Sequence, residues 1–163
     1  MTDAVVFDLD GTLVDIPIDY EDLFEEFKRI MRTDNTRPLA DVISRVDAET
    51  REIIFKTWEK VELASIDRIS LKPAGSKIYQ EHANKRRALV TLQGKAIVDA
   101  ILDRFKLSFE VLVTREDTLF RSDQLLKAIK QLEVNKRNVL FIGNTEGDEN
   151  AASEVGCRFI KVK

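Results

Sequence analysis

Asp8 and Asp10 stand two residues apart in "VVFDLDGTLVD", directly after a run of apolar residues, with Gly11 and Thr12 close behind. A carboxylate at the end of a buried strand is costly to desolvate unless a cation or hydrogen-bond donors meet it. The pattern therefore points to a metal or catalytic site. The competing reading is a polar strand-to-loop turn.

Five short runs rich in valine, isoleucine and phenylalanine read as buried strands: Ala4 to Leu9, Ala88 to Leu92, Val111 to Thr114, Val139 to Ile142 and Phe159 to Val162. Between the later ones, Gly94 to Phe105 carries Ile97, Val98, Ile101 and Leu102 on one face, and Ser122 to Leu132 carries Leu125, Leu126, Ile129 and Leu132. These are amphipathic helices. Strand and helix in alternation imply an α/β fold, a Rossmann-like parallel sheet whose ligands bind beyond the carboxyl ends of the strands. Asp8 and Asp10 sit at such an end.

From Ile16 to about Lys72 the period turns helical. Leu23, Phe24, Phe27, Ile30 and Met31 form one stripe, and Ile53, Ile54, Trp58 and Val61 form another. "RTDNTRP", Arg32 to Pro38, breaks the helices, and "KPAG", Lys72 to Gly75, turns the chain back to the sheet. The reading is an all-helical insertion after the first strand, dividing the chain into a core of residues 1–15 and 73–163 and an insert of residues 16–72. No repeat, low-complexity tract or long linker is present.

Composition narrows the classes of function. The 163 residues, 44% hydrophobic and 34% charged, describe an ordinary folded domain. A net charge of −3, with no basic stripe interleaved with aromatics, argues against nucleic-acid and membrane partners. Cys157 is the lone cysteine, so no internal disulfide forms. No run approaches the ~20 apolar residues of a membrane span, and the expected location is the cytoplasm.

"VFDLDGTLVD" resembles the first motif of the haloacid dehalogenase-like superfamily. "RRALVTLQGK" is similar to the second, the region of "FEVLVTRED" and "RSDQLLKAIKQL" to the third, and "VLFIGNTEGDENAASEVGC" to the fourth. The resemblance spans the chain and falls in the phosphoglycolate phosphatase-like and β-phosphoglucomutase-like branch, where the helical insertion is a small cap. It implies a phosphatase acting on a small phosphorylated metabolite with Mg2+. Asp8 would be the nucleophile, forming an aspartyl-phosphate that water hydrolyses. Asp10 would be the general acid and base, which asks for a carboxyl above its ordinary value of about 3.9.

Further roles follow from the same resemblance. Thr91, Leu92, Gln93, Gly11 and Thr12 would contact the phosphoryl group, through the Thr91 hydroxyl and through amides at the following helix start. On its own, Thr91 is also an ordinary strand residue. The metal would be held by Asp8, Asp10, Asn144 and Asp148, oxygen donors suited to a hard cation. Glu146 and Glu149 read as solvated acids at a helix start.

Two positions depart from the family pattern. Gly143-Asn144 stands where Gly-Asp is usual, exchanging a charged ligand for an amide. Arg121-Ser122 stands where a lysine precedes a proline, and arginine is bulkier and forked. Lys127 and Lys130 are alternatives for that cation. His82, "KRR" at Lys85 to Arg87, and Cys157 read as surface, turn and packing residues. Trp58 and the cap phenylalanines read as the cap's own core, and Ile16 to Glu25 as including substrate contacts. A weakened relative that binds a phosphorylated ligand or a protein, and a phosphomutase, stay open beside the phosphatase. Substrate identity and oligomeric state are not specified by these residues.

Overall fold

Ala4–Phe7, all four residues without solvent exposure, form strand β1. Their side chains alternate between two apolar clusters, Ala4 and Val6 on one face and Val5 and Phe7 on the other. A strand buried on both faces belongs in the middle of a parallel sheet. In the computed structural model, which describes residues 1–163, β1 is the central strand of five. It pairs in parallel with β4 (Arg86–Val90) and β6 (Val139–Gly143), and the edges are β5 (Val111–Val113) and β7 (Arg158–Lys161). The sheet order is β5-β4-β1-β6-β7.

Helices cover both faces. α4 (Pro73–Glu81) and α5 (Lys95–Phe105) pack Ile78, Tyr79, Ile97, Val98 and Ile101 on the β1 face that carries Val5 and Phe7. α6 (Arg121–Leu132) and α7 (Glu146–Val155) cover the other with Leu125, Ala128, Ile129, Ala151 and Val155. Because all five strands run the same way, the residues directly after them gather at one edge: Asp8, Thr91, Thr114 and Asn144. The expected α/β class and Rossmann-like parallel sheet stand.

The helical segment is entered and left through a two-residue ribbon, β2 (Val14–Asp15) antiparallel to β3 (Ser70–Leu71), which is too short to mark itself in the sequence. Its helices are α1 (Tyr20–Met31), α2 (Leu39–Ser44) and α3 (Ala48–Ala64). Asp19 caps α1 through the Asp22 amide at 3.1 Å, and Asp47 caps α3 through the Thr50 amide at 2.7 Å. Leu23, Phe27, Ile43, Ile54 and Trp58 make a separate apolar cluster. One member of the expected stripe faces outward: Ile53 is 47% exposed. On the same helix a polar residue, Glu62, is wholly buried. No helix is long and apolar enough to cross a membrane.

Candidate active site

The chain leaves β1 at Asp8, whose N–H continues the ladder by donating to the Ile142 carbonyl at 2.9 Å. Its carboxylate is nearly all buried yet well met: Arg121 donates from Nη2 to Oδ1 at 2.9 Å, and the Thr12 hydroxyl lies 3.2 Å from Oδ2. Burial still dominates. It pushes the Asp8 carboxyl from 3.8 up to about 7, the Arg121 charge offsetting part of the rise and Asp148 adding to it.

Arg121, the first residue of α6, binds two acids at once. Its Nε donates to Asp148 Oδ1 at 2.9 Å while Nη2 holds Asp8. Gln124, one turn along α6, fixes the fork. Its side-chain oxygen accepts from Arg121 Nη1 at 2.6 Å, and its amide donates to the Thr91 and Thr118 carbonyls at 2.8 and 2.9 Å. Lys127 and Lys130, the other cations considered, are exposed and make no contact with the acids. Asp148 also belongs to the capping box of α7. Its Oδ2 accepts from the Asn144 and Thr145 amides at 3.1 and 3.2 Å, and its own N–H donates to Thr145 Oγ1 at 3.0 Å. The helix end thus aims its carboxylate at Arg121.

Asp10 takes a different environment. Its Oδ1 accepts from the Ile16 N–H at 2.9 Å and its Oδ2 from the Tyr20 hydroxyl at 3.2 Å. Burial nevertheless raises its pKa, with both hydrogen bonds opposing. Tyr20 in turn accepts from Gln93 Nε2 at 3.1 Å, and Gln93 Oε1 accepts from the Thr91 hydroxyl at 2.7 Å. Thr91 is fully buried, and its hydroxyl is taken up by Gln93.

The oxygen donors suit a hard divalent cation in part. Asp8 and Asp148 both turn an oxygen to the same guanidinium, so two carboxylates already face one positive group. The Asn144 amide oxygen lies 3.3 Å from the Thr12 hydroxyl that also meets Asp8. Both oxygens of Asp10 are engaged elsewhere. No three His, Cys, Asp or Glu side chains form a metal-binding group, so the donor set is two carboxylates and an amide. Two glycines make the approach possible. Gly11 has φ +80°, and a Cβ there would lie 2.1 Å from Asn144 Nδ2. A Cβ on Gly143 would lie 2.7 Å from Asp148 Oδ2 and 2.8 Å from Asp148 Cβ. Gly143→Ala is therefore expected to push Asp148 off its cap and lower stability by about 1–3 kcal/mol, read as a reduced urea midpoint.

These groups line a cavity of about 260 Å³: Asp8, Asp10, Gln93, Arg121, Asn144, Thr145 and Asp148 below, with Tyr20, Phe24, Leu39, Trp58 and Leu92 above. Gly11, Thr12 and Thr91 stand behind this lining. Trp58 and Phe24, expected as packing for the cap alone, also wall the cavity. The wall is braced by a pair that the sequence reading missed. Arg115, in the loop after β5, and Glu62 on α3 are both without side-chain exposure and lie 2.8 Å apart. The Arg115 guanidinium stacks 4.3 Å from the Trp58 ring, and Glu62 accepts from the Gly94 N–H at 3.3 Å. Gln124 was missed as well. A signal was available for Glu62 and Gln124, each a polar residue on the apolar stripe of a helix, and none for Arg115 in its loop.

The sheet order, the helical insertion and the acids at the carboxyl edge define a Rossmann-like α/β core with a helical insert over its site. The chain belongs to the haloacid dehalogenase-like hydrolase family, whose model matches residues 5–162. A haloacid dehalogenase-like hydrolase domain-containing protein of Arabidopsis thaliana is 22% identical over 164 residues; they cover 93% of this chain, which spans 66% of that protein. A protein provisionally named pyrophosphatase PpaX, from Caldanaerobacter subterraneus subsp. tengcongensis, is 26% identical over 188 residues, covering 98% of this chain and 81% of its own length. A solved structure provisionally named phosphoglycolate phosphatase, from Lactobacillus plantarum, superposes with a TM-score of 0.70 at 22% identity over 98% of this chain and 86% of that one.

Proposed function

We propose that this chain is a magnesium-dependent phosphatase that hydrolyses a small phosphorylated metabolite through an aspartyl-phosphate on Asp8. The observation that carries the reading is the pair of carboxyl groups in one cavity with unlike surroundings: Asp8 held by Arg121 and Thr12, Asp10 held by Ile16 and Tyr20. Unlike environments let two acids take unlike roles. A family membership shared with proteins named as phosphatases supports the same reading.

In the first step an Asp8 oxygen attacks phosphorus and the bond to the leaving oxygen breaks. Asp10, whose carboxyl burial raises above its ordinary value, gives that oxygen its proton. In the second step Asp10 takes a proton from water as the water attacks phosphorus and frees Asp8. Arg121 orients Asp8 throughout and favours its ionised form. Asp8, Asp148 and Asn144 would hold the magnesium ion, which supplies charge neutralisation between the nucleophile and the phosphoryl oxygens. The cap residues Tyr20, Phe24, Leu39 and Trp58 wall the cavity and would limit the access of bulk water to the reacting phosphate.

Phosphate release from a panel of phosphorylated metabolites tests this. Release that requires magnesium and is abolished by a chelator is the expected result, and no release from any member overturns it. A second reading, a weakened protein that binds phosphorylated ligands, is favoured by the neutral Asn144 and by the guanidinium bridging Asp8 and Asp148. Binding without release is its mark. Asn144→Asp is expected to tighten magnesium binding several-fold by calorimetry, because carboxylate charge is gained beside Asp148. It should also lower the melting temperature of the metal-free protein through repulsion among three acids. Unchanged affinity and unchanged melting would place Asn144 away from the metal.

A further inference from the structure

The roof of the cavity is poor in charge and in free polar atoms. Tyr20, Phe24, Leu39, Trp58 and Leu92 present carbon surfaces. The Tyr20 hydroxyl is committed to Asp10 and Gln93, and both polar atoms of the Gln93 side chain are engaged, with Tyr20 and Thr91. The Trp58 indole N–H is buried without a partner and so withdrawn from the cavity surface. Three guanidinium groups are near, and none stands in the roof. Arg121 serves Asp8, Asp148 and Gln124. Arg115 is buried against Glu62 behind the Trp58 ring. Arg37 lies 5.0 Å over the Phe24 ring and is not part of the lining.

From this we infer that, given the phosphatase reading above on which it rests, the substrate is a monophosphate ester with an uncharged, apolar leaving group of aryl or short alkyl type. A second anionic group on the substrate would be desolvated against aromatic and aliphatic carbon, with no counter-charge in the roof to meet it. The cavity of about 260 Å³ falls below the range of about 300–1,000 Å³ for drug-sized ligands, so the leaving group is small. This class excludes phosphorylated carboxylic acids and pyrophosphate as preferred substrates, although relatives carry such names.

Calorimetry on the wild-type chain with magnesium and non-hydrolysable phosphonates tests the inference without relying on turnover. Benzylphosphonate is expected to bind about tenfold or more tightly than phosphonoacetate, because only the second carries an extra charge into the apolar roof. Equal affinities, the reverse order, or no binding of either overturns it. Leu39→Lys sets a cation into the half-exposed first position of α2 and is expected to narrow that ratio in favour of phosphonoacetate. A ratio that stays the same in a variant with a normal melting curve removes Leu39 from the roof and overturns the placement. The phosphatase reading fails separately, if benzylphosphonate binds with this preference while phenyl phosphate releases no phosphate.

Discussion

Asp8→Asn is expected to lower magnesium-dependent phosphate release by about 10⁴-fold or more, the scale of loss when the nucleophile of a covalent mechanism is removed. An amide cannot form the acyl phosphate, while its oxygen still accepts from Arg121, whose other partners Asp148 and Gln124 are untouched. The fold therefore survives. A stability signature accompanies the loss. Burial raises the Asp8 carboxyl from 3.8 to about 7, so the folded protein holds that proton more tightly than the unfolded chain does. The resulting stability is full below pH about 4 and is lost as pH rises through about 7. In metal-free buffer the wild type should lose more stability across that window than the Asn variant, which keeps only the contributions of the other buried, raised carboxyls Asp10 and Glu62. Activity near wild type, with deamidation excluded by mass, would remove Asp8 from the nucleophile's role.

Glu62→Ala is expected to cost about 3–5 kcal/mol of stability in urea denaturation, the range for breaking a buried ion pair. The variant leaves the Arg115 charge buried against Phe55 and Trp58 and the Gly94 N–H without its acceptor. Burial raises the Glu62 carboxyl even with Arg115 beside it, which marks how strongly the pair is desolvated. Replacing both partners together, as Glu62→Leu with Arg115→Met, should recover much of the loss, because no lone charge remains. A cost of about 1 kcal/mol or less, as for exposed pairs, would mean that water reaches the Glu62–Arg115 contact.

The parallel core was legible because its strands are buried on both faces and read as continuous apolar runs: Ala4 to Phe7 and Val139 to Ile142 have no polar position at all. Asp8 and Asp10 were legible for the converse reason, since carboxylates beside such a run demand an explanation. Arg121 came from the motif register. Its fork onto Asp8 and Asp148 depends on α6 and α7 packing side by side, which no local pattern records. Glu62 and Arg115 lie far apart in sequence, and nothing local to either segment pairs them. Only the docking of α3 against the loops after β4 and β5 removes water from both. Trp58 illustrates a related limit: its spacing marks it as buried, and burial within a cap core and burial against a cavity have the same periodicity. The β2–β3 ribbon was invisible because two residues per strand carry no period.

The central claim is a covalent intermediate on Asp8. Rapid acid quench during turnover of an ester that the protein hydrolyses, followed by borohydride reduction and peptide mapping, converts an aspartyl-phosphate to homoserine at the modified position. The expected result is homoserine at position 8 in the wild type, dependent on substrate and magnesium, and none in Asp8→Asn. Steady phosphate release with no modification at position 8, or with the modification at another carboxylate, would contradict the account.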